Sequence, residues 1–205
     1  MSNCIFRNVA LVLAMLVSTT QTGAIAKDSS AKASEGTDLI GTKAPEFIDL
    51  TWVNSQPLSI ASLRGKLIFL RFWNPDCEGC KSSTPALNYL NKKYKDKGLV
   101  VLGIHKPTRI HHPNCNSKLV YKDQMKIAMN QVGAKFTVAV DTEWNTIKAY
   151  WTNKDRLDES ASFLIDKSGI IRWVHPGGVI LLPTLGGDAE RVQFENLERK
   201  INSLL

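Results

Sequence analysis

Cysteine is scarce in this chain, and the motifs that would give its cysteines a structural role are missing. Four of the 205 residues are cysteine. The pair Cys77 and Cys80 has no second C-x-x-C and no H-x₃-H to accompany it, so the ligand spacing of a structural zinc site is absent. A disulfide within the pair would close a loop too small to add much stability. A structural staple and half of a zinc site are therefore both disfavoured.

The chain also lacks a long hydrophobic run and a dense basic stripe. The N-terminal apolar run, Val9 to Val17, is well short of the roughly 20 residues that span a bilayer as a helix. Lys and Arg number 26 against 19 Asp and Glu, a formal net charge of +7, but the basic residues are scattered. Because nucleic-acid stripes are denser and interleaved with aromatics, we expect a solvated basic surface and no nucleic-acid partner.

The N-terminus has the order of features of a secretory signal. Arg7 supplies a positive charge, the apolar run follows, and Ala24-Ile25-Ala26 is a small-residue cleavage site. We therefore predict a signal over residues 1–26 and export to the periplasm or another extracytoplasmic space. An uncleaved signal would be the protein's one attachment to a membrane. The polar stretch 27–39 is predicted to be a disordered lead-in to a domain over residues 40–205.

Three cysteines remain after the signal, which includes Cys4, is removed. They are Cys77, Cys80 and Cys115, and an odd number in an oxidising compartment leaves one thiol unpaired or intermolecular. Cys77 and Cys80 follow an apolar run and open a segment with helical spacing. In the first turn of a helix, residues three apart lie on one face with Cα atoms roughly 5 to 6 Å apart, which suits a disulfide. This arrangement indicates dithiol–disulfide exchange, with Cys77 the better thiolate because the helix start favours negative charge.

The remaining pattern predicts an α/β fold with one central mixed sheet. A βαβ crossover should make the strands at 67–73 and 99–104 parallel. Pro85 falls inside the first helix, where a kink is expected. The other predicted elements are an N-terminal hairpin at 47–53 and 58–63, helices at 118–132, 141–151 and 188–205, a strand at 136–140, and a hairpin at 163–174.

An ordered set of motifs resembles the TlpA/ResA-like branch of exported thioredoxin-fold proteins, with an insertion similar to the redoxin domains of DipZ-type proteins. Pro85, five residues after Cys80, belongs to the set. The motifs are G-x-x-A-P-x-F at 41–47, L-R-G-K at 63–66, F-W-x-x-x-C-x-x-C-K at 72–81, G-I-H-K-P at 103–107, V-A-V-D at 138–141 and F-L-I-D-K-S-G at 163–169. The resemblance implies a thioredoxin-like fold: a central mixed β-sheet flanked by helices, with an N-terminal β-hairpin and a helix–strand insertion.

The resemblance also implies roles for the residues around the cysteine pair. Cys77 would attack a client disulfide and Cys80 would resolve the mixed disulfide, so the pair itself is the redox group and no other cofactor is implied. Client proteins with cysteines and an upstream membrane thiol reductant are the implied partners. Trp73 would pack beside the motif, and the plainer interpretation is that it is a core aromatic.

Three positions depart from the family pattern. A cis-proline usually stands where this chain has Ser160; a non-proline cis bond costs about 3 kcal/mol, so a trans bond, an altered docking edge and easier metal capture are expected. A buried acid usually stands at Arg71, which cannot accept a proton. Arg71 could instead stabilise a thiolate if it points toward Cys77, reach the surface, or pair with an acid. Glu78 disfavours and Lys81 favours a thiolate, and their net effect stays open.

Alternative functions remain at this point. A copper chaperone on the same fold would use Cys77, Cys80 and a histidine. His105, His111, His112 and Cys115 are metal-ligand candidates, although H-H-x-x-C matches no strong site pattern and a polar exposed loop is favoured. A peroxiredoxin is disfavoured because P-x-x-x-T-x-x-C is missing. A redox-inactive binding module remains open, as does the direction of any exchange.

Overall fold

The structure is a computed structural model of the chain, and it describes residues 35–107, 117–152, 156 and 160–205. The strands in these ranges are β1 (Thr51–Trp52), β2 (Leu67–Phe72), β3 (Leu99–His105), β4 (Thr137–Val140), β5 (Ser162–Ile165) and β6 (Ile171–His175). The α-helices are α1 (Glu78–Tyr94), α2 (Ser117–Val132), α3 (Asn145–Tyr150) and α4 (Asp188–Leu204). The described strands form one mixed sheet of six in the order β1-β4-β3-β2-β5-β6.

Strand β2 lies inside the sheet and is buried on both faces, which suits its almost entirely apolar sequence, LIFLRF. It pairs parallel with β3 and antiparallel with β5. Strand β3 pairs parallel with β4, and β1 and β6 close the two edges in antiparallel pairs. The predicted βαβ crossover through α1, the inserted helix–strand unit α2–β4 and the hairpin β5–β6 are confirmed.

Alternate residues of β2 face two separate hydrophobic clusters, one on each side of the sheet. Leu67 and Phe69 belong to the cluster that includes buried residues of α1 and α4. Ile68 and Leu70 belong to the cluster that includes buried residues of α3. Because side chains alternate along a strand, Arg71 shares the α1 face of the sheet with Leu67 and Phe69.

Helix α1 sets the geometry of the cysteine pair, and its ends are clear in the sequence. It continues through Pro85 without ending there. After Tyr94 the chain tightens into a 3₁₀ turn over Lys95–Lys97, and Gly98 then adopts φ 99°, a left-handed conformation that favours glycine. Gly98 therefore ends this helical segment, and β3 begins at the next residue.

The predicted N-terminal hairpin is wrong. Thr51–Trp52 pairs with β4 instead of a neighbouring hairpin partner, and residues 58–63 form turns. Side chains satisfy the backbone groups of this segment locally: the Glu46 carboxylate accepts N–H bonds from Ile60 and Ala61, both at 2.9 Å. Ser59 and Ser62 also bond each other's backbone. Such local bonds compete with strand pairing, and here they replace it.

The start of the fold lies slightly earlier than the predicted boundary at residue 40. Thr37–Leu39 forms a 3₁₀ turn, and the Leu39 side chain is buried in the α3-side cluster. Gly36 has φ 86° and packs so closely that a Cβ atom there would lie 2.7 Å from Val174. The last residues of the predicted lead-in therefore belong to the domain.

Several predicted features lie outside the described residues. They are the signal over 1–26, most of the lead-in, and the polar loop that contains His111, His112 and Cys115. Within the described ranges, the helices are all too short or too polar to cross a membrane.

Candidate active site

The cysteine pair lies at a strand-to-helix junction, as the sequence predicts. Five residues after the end of β2, Cys77 occupies the N-cap position of α1 with an extended backbone, φ −87° and ψ 123°. Asn74 shapes the connecting turn: its Oδ1 accepts the N–H of Asp76 at 2.9 Å, and its carbonyl accepts the N–H of Cys77 at 3.2 Å. The helix then starts with its N–H groups directed toward the motif.

The two thiols share one face of the first helical turn but differ in exposure. The Cys77 carbonyl accepts N–H bonds from Cys80 at 3.0 Å and Lys81 at 2.9 Å, which closes the turn. Both cysteines are free thiols, and the Cys77 thiol lies within hydrogen-bonding reach of Cys80. Cys77 is partly exposed, whereas Cys80 is only 2% exposed. Another protein can therefore reach Cys77, while Cys80 is accessible mainly to Cys77.

Burial dominates the acidity of Cys80. It raises the pKa of the Cys80 thiol, because a buried thiolate loses its hydration. The Arg71 guanidinium and a hydrogen bond from the Asn74 backbone lower the same pKa, and the neighbouring Cys77 raises it. The net pKa of Cys80 lies above its ordinary value.

Arg71 is fully buried beneath the motif, so the interpretation that it reaches the surface is wrong. Its Nη1 donates to the Ser162 hydroxyl at 2.7 Å, and its Nη2 donates to the Gly178 carbonyl at 2.7 Å. The charge of Arg71 acts on Cys80. The sequence interpretation, in which the charge would point toward Cys77, did not anticipate this.

The charged residues inside and after the motif pair with each other. Lys81 Nζ donates to Glu78 Oε1 at 2.7 Å, one helical turn apart on the exposed side of α1. The hydrogen bond and charge of Glu78 raise the pKa of Lys81. The sequence predicts that Glu78 disfavours and Lys81 favours a cysteine thiolate. In the structure these two charges pair mainly with each other.

Trp73 is both a core aromatic and a contact of the motif. Its indole is 2% exposed and packs edge-on against Phe136, with ring centroids 5.6 Å apart. Its Nε1–H donates to the Cys80 carbonyl at 3.3 Å. Both interpretations offered by the sequence therefore apply.

A loop after β6, residues 176–180 and here called the Gly178 loop, packs against the first turn of α1. A Cβ atom on Gly79 would lie 3.3 Å from Val179 Cγ2 and 3.9 Å from Cys77 Sγ, so the approach is close. The N–H of Ile180 donates to Ser83 Oγ at 3.0 Å. Sequence reasoning missed this loop as part of the site, although its P-G-G run at 176–178 was a turn signal.

Ser160 and Pro85 flank the motif on different elements. Arg71 pairs with Ser162 across β2 and β5, and the Phe72 N–H donates to the Ala161 carbonyl at 3.0 Å. Continuing this antiparallel register places the backbone of Ser160 opposite the residue that follows β2, next to the motif. The peptide bond before Ser160 involves a residue outside the described part, so its trans form stays a prediction. Pro85 lies exposed on α1 and lines the same surface cleft as Val179.

Of the metal-ligand candidates outside the cysteine pair, the structure describes His105. Its imidazole is 7% exposed, and burial lowers its pKa to about 4, while the Trp73 backbone and the Asp76 charge act in the opposite direction. Within the described ranges, no three His, Cys, Asp or Glu side chains lie close enough to hold a metal ion. His111, His112 and Cys115 lie outside those ranges.

A mixed sheet whose central strand leads into C-x-x-C at a helix start defines a thioredoxin-like protein with a dithiol site. Solved structures of a thioredoxin-like superfamily protein and of a thiol-disulfide isomerase share this fold. The AhpC/TSA family model matches residues 40–174, and the chain belongs to this family.

Individual relatives carry redox names. Thiol-disulfide oxidoreductase ResA of Bacillus anthracis is 32% identical over 134 residues, which cover 63% of this chain and 65% of ResA. Protein DipZ of Mycobacterium tuberculosis is 31% identical over 138 residues, 65% of this chain but 18% of DipZ. The thiol-disulfide isomerase from Corynebacterium glutamicum is 27% identical with a TM-score of 0.56, covering 79% of this chain and 96% of that one. The matched residues thus span less than two thirds of the full length of ResA and of DipZ.

Proposed function

We propose that this protein is an exported thiol–disulfide oxidoreductase that exchanges its Cys77/Cys80 pair with cysteines of client proteins. The observation that carries the proposal is the contrast in exposure within one helical turn. Cys77 is partly exposed at the helix N-terminus, and Cys80 is buried one turn further on. This contrast supports Cys77 as the residue that attacks clients and Cys80 as the residue that attacks Cys77.

The exchange proceeds in two steps. The Cys77 thiolate attacks one sulfur of a client disulfide, forming a mixed disulfide and releasing the other client sulfur as a thiolate. Cys80 then attacks the Cys77 sulfur, the bond from Cys77 to the client breaks, and the client leaves fully reduced. Two electrons have passed to the client, and the protein holds a Cys77–Cys80 disulfide. The reverse sequence oxidises a client dithiol.

The similarities support this activity. ResA of Bacillus anthracis is named a thiol-disulfide oxidoreductase, and the Corynebacterium glutamicum structure is named a thiol-disulfide isomerase. Export is proposed from the signal-like pattern over residues 1–26. A protein that reduces clients outside the cytoplasm needs its disulfide reduced again, so we include an upstream membrane thiol reductant among its partners.

The activity is tested by replacing each cysteine in turn. In an assay of insulin disulfide reduction with dithiothreitol as reductant, we expect Cys77→Ser to abolish catalysis. Cys80→Ser, reduced beforehand and freed of dithiothreitol before insulin is added, should retain the first attack and accumulate a mixed disulfide that is visible by mass spectrometry. Cys115→Ser is the matched control and should keep full activity. Wild-type protein that neither reduces insulin nor equilibrates with glutathione over hours would refute the proposed function.

A further inference from the structure

We propose that Arg71 is a positioning residue for the second step: its buried guanidinium stabilises Cys80 as a thiolate for attack on Cys77 and fixes the Gly178 loop against the active-site turn. The proposal rests on the proposed function, because it concerns the step in which Cys80 resolves the mixed disulfide.

The sheet aims Arg71 at the cysteine pair. Along β2, the side chains of Leu67, Phe69 and Arg71 alternate onto the face covered by α1, and Cys80 packs in the cluster on that same face. Arg71 lies two residues before Trp73, whose indole donates to the Cys80 carbonyl. The guanidinium therefore lies under the first turn of α1.

Two hydrogen bonds prevent Arg71 from leaving this position. Arg71 Nη1 donates to the hydroxyl of Ser162 on the neighbouring strand β5, at 2.7 Å. Arg71 Nη2 donates to the carbonyl of Gly178 in the Gly178 loop, also at 2.7 Å. The same loop is fixed to α1 by the bond from Ile180 N–H to Ser83 Oγ and by the contact of Val179 with Gly79. A planar guanidinium suits this role because its donors point in fixed, separate directions.

Arg71 is the main favourable charge for a Cys80 thiolate. Among the described residues, Arg71 and Cys77 are the titratable groups that act on Cys80, and Arg71 is the one that lowers its pKa. The apolar neighbours of Cys80 in its cluster include Trp73 and Phe136 and carry no charge.

Other titratable groups near the motif interact mainly with groups other than the Cys80 thiol. Glu78 and Lys81 form an exposed pair on α1. At the end of β3, His105 interacts with Asp76 and, with a pKa near 4, is neutral over the pH range in which thiols titrate.

Arg71 meets a specific need of the resolving step. In that step Cys80 gives up its proton, its sulfur forms a bond to Cys77 Sγ, and the client sulfur leaves with the electron pair of the broken bond and takes up a proton. Where a carboxylate would accept the Cys80 proton, an arginine cannot, so it acts by favouring the thiolate instead. Because Cys77 has no titrating proton in the mixed disulfide, Arg71 is then the charge that acts on Cys80 among the residues that the structure describes.

The two steps can be timed separately with 5,5′-dithiobis(2-nitrobenzoate) as the disulfide. We use the reduced full chain carrying Cys4→Ser and Cys115→Ser, so that only the pair reacts. The first release of thionitrobenzoate reports the Cys77 attack, and the second reports resolution by Cys80. Both rates are measured against pH in wild type, Arg71→Met, Arg71→Gln and Arg71→Lys, after thermal unfolding has confirmed that each variant is folded.

We expect the neutral variants to slow the second release about tenfold near pH 7 and to move its pH midpoint up by about one unit, because they remove an opposite charge close to the thiol. The first release should stay within about twofold of wild type. Arg71→Lys, which keeps the charge but not the fork of donors, should restore most of the pH midpoint. Arg71→Gln keeps an N–H for Ser162 and covers the case in which Arg71→Met does not fold.

An unchanged pH midpoint of the second release in a folded neutral variant overturns the role of Arg71. So does an equal slowing of both releases with no change in midpoint, because that is the result of a purely structural role. Absence of the first release in wild-type protein instead refutes the proposed function, so the two failures are distinguishable.

Discussion

The buried imidazole of His105 predicts a specific dependence of stability on pH. Burial lowers the pKa of His105 from 6.5 to about 4 in the folded chain. In the unfolded chain the imidazole is hydrated and titrates near its ordinary value. Between these two values the unfolded state binds a proton that the folded state does not, so the free energy of unfolding falls as pH falls through this window.

The size of the effect follows from the two pKa values. Above about pH 7 the imidazole is neutral in both states and the contribution is fully present. By about pH 5 the unfolded state is almost completely protonated at this site, and about 2 kcal/mol of stability is lost. The loss is about 3 kcal/mol at pH 4 and approaches its full value below that pH. For a domain of this size such a loss is a large fraction of the total stability.

Urea unfolding followed by tryptophan fluorescence at several pH values measures this dependence. His105→Leu removes the titrating group at the same buried position, so its stability should fall about 2 kcal/mol less than that of wild type between pH 7 and pH 5. His112→Leu, in a loop that the sequence predicts to be polar and exposed, is the matched control and should keep the wild-type slope. Identical slopes in wild type and His105→Leu would refute the argument that burial keeps this imidazole neutral.

Two further substitutions test the packing of the sheet and of the N-terminal segment. Gly103→Ala places a Cβ atom 2.8 Å from the Phe136 ring and should lower the free energy of unfolding by about 1 to 3 kcal/mol in urea titrations; a loss below about 0.5 kcal/mol would contradict this. Glu46→Ala removes the acceptor for Ile60 and Ala61 and should cost about 1 to 2 kcal/mol, with Glu46→Gln retaining part of that stability because it keeps one oxygen. Equal stability of the two Glu46 variants would count against these hydrogen bonds.

Hydrophobic pattern was sufficient to predict the elements that bury apolar residues. The apolar run at 67–73 predicted a strand of the sheet, and β2 has all its residues buried. The segment at 58–63 has apolar residues too, yet it forms turns, because Glu46 and the serines of that segment satisfy its backbone groups. Pattern alone does not record such side-chain acceptors, which compete with strand pairing.

The cysteine pair was also readable from its local sequence, whereas its surroundings were not. The spacing of Cys77 and Cys80 at a helix start depends only on neighbouring residues. Arg71 meets groups that are 91 and 107 positions away, Ser162 and Gly178, and only the folded sheet brings them together. The sequence therefore presented three interpretations of Arg71 and no means of choosing among them.

The pairing of β1 with β4 has a consequence for how this domain can be altered or shortened. Strand β1 pairs with β4, which is the strand of the inserted helix–strand unit. Asn54 strengthens this pairing, because its side-chain amide donates to the Phe136 carbonyl at 2.9 Å and its Oδ1 accepts the Val138 N–H at 2.8 Å. Excising the insertion would strip β1 of its partner and leave β3 as an open edge available to other chains. The insertion is thus a structural part of the sheet, and a minimal version of this protein must retain it.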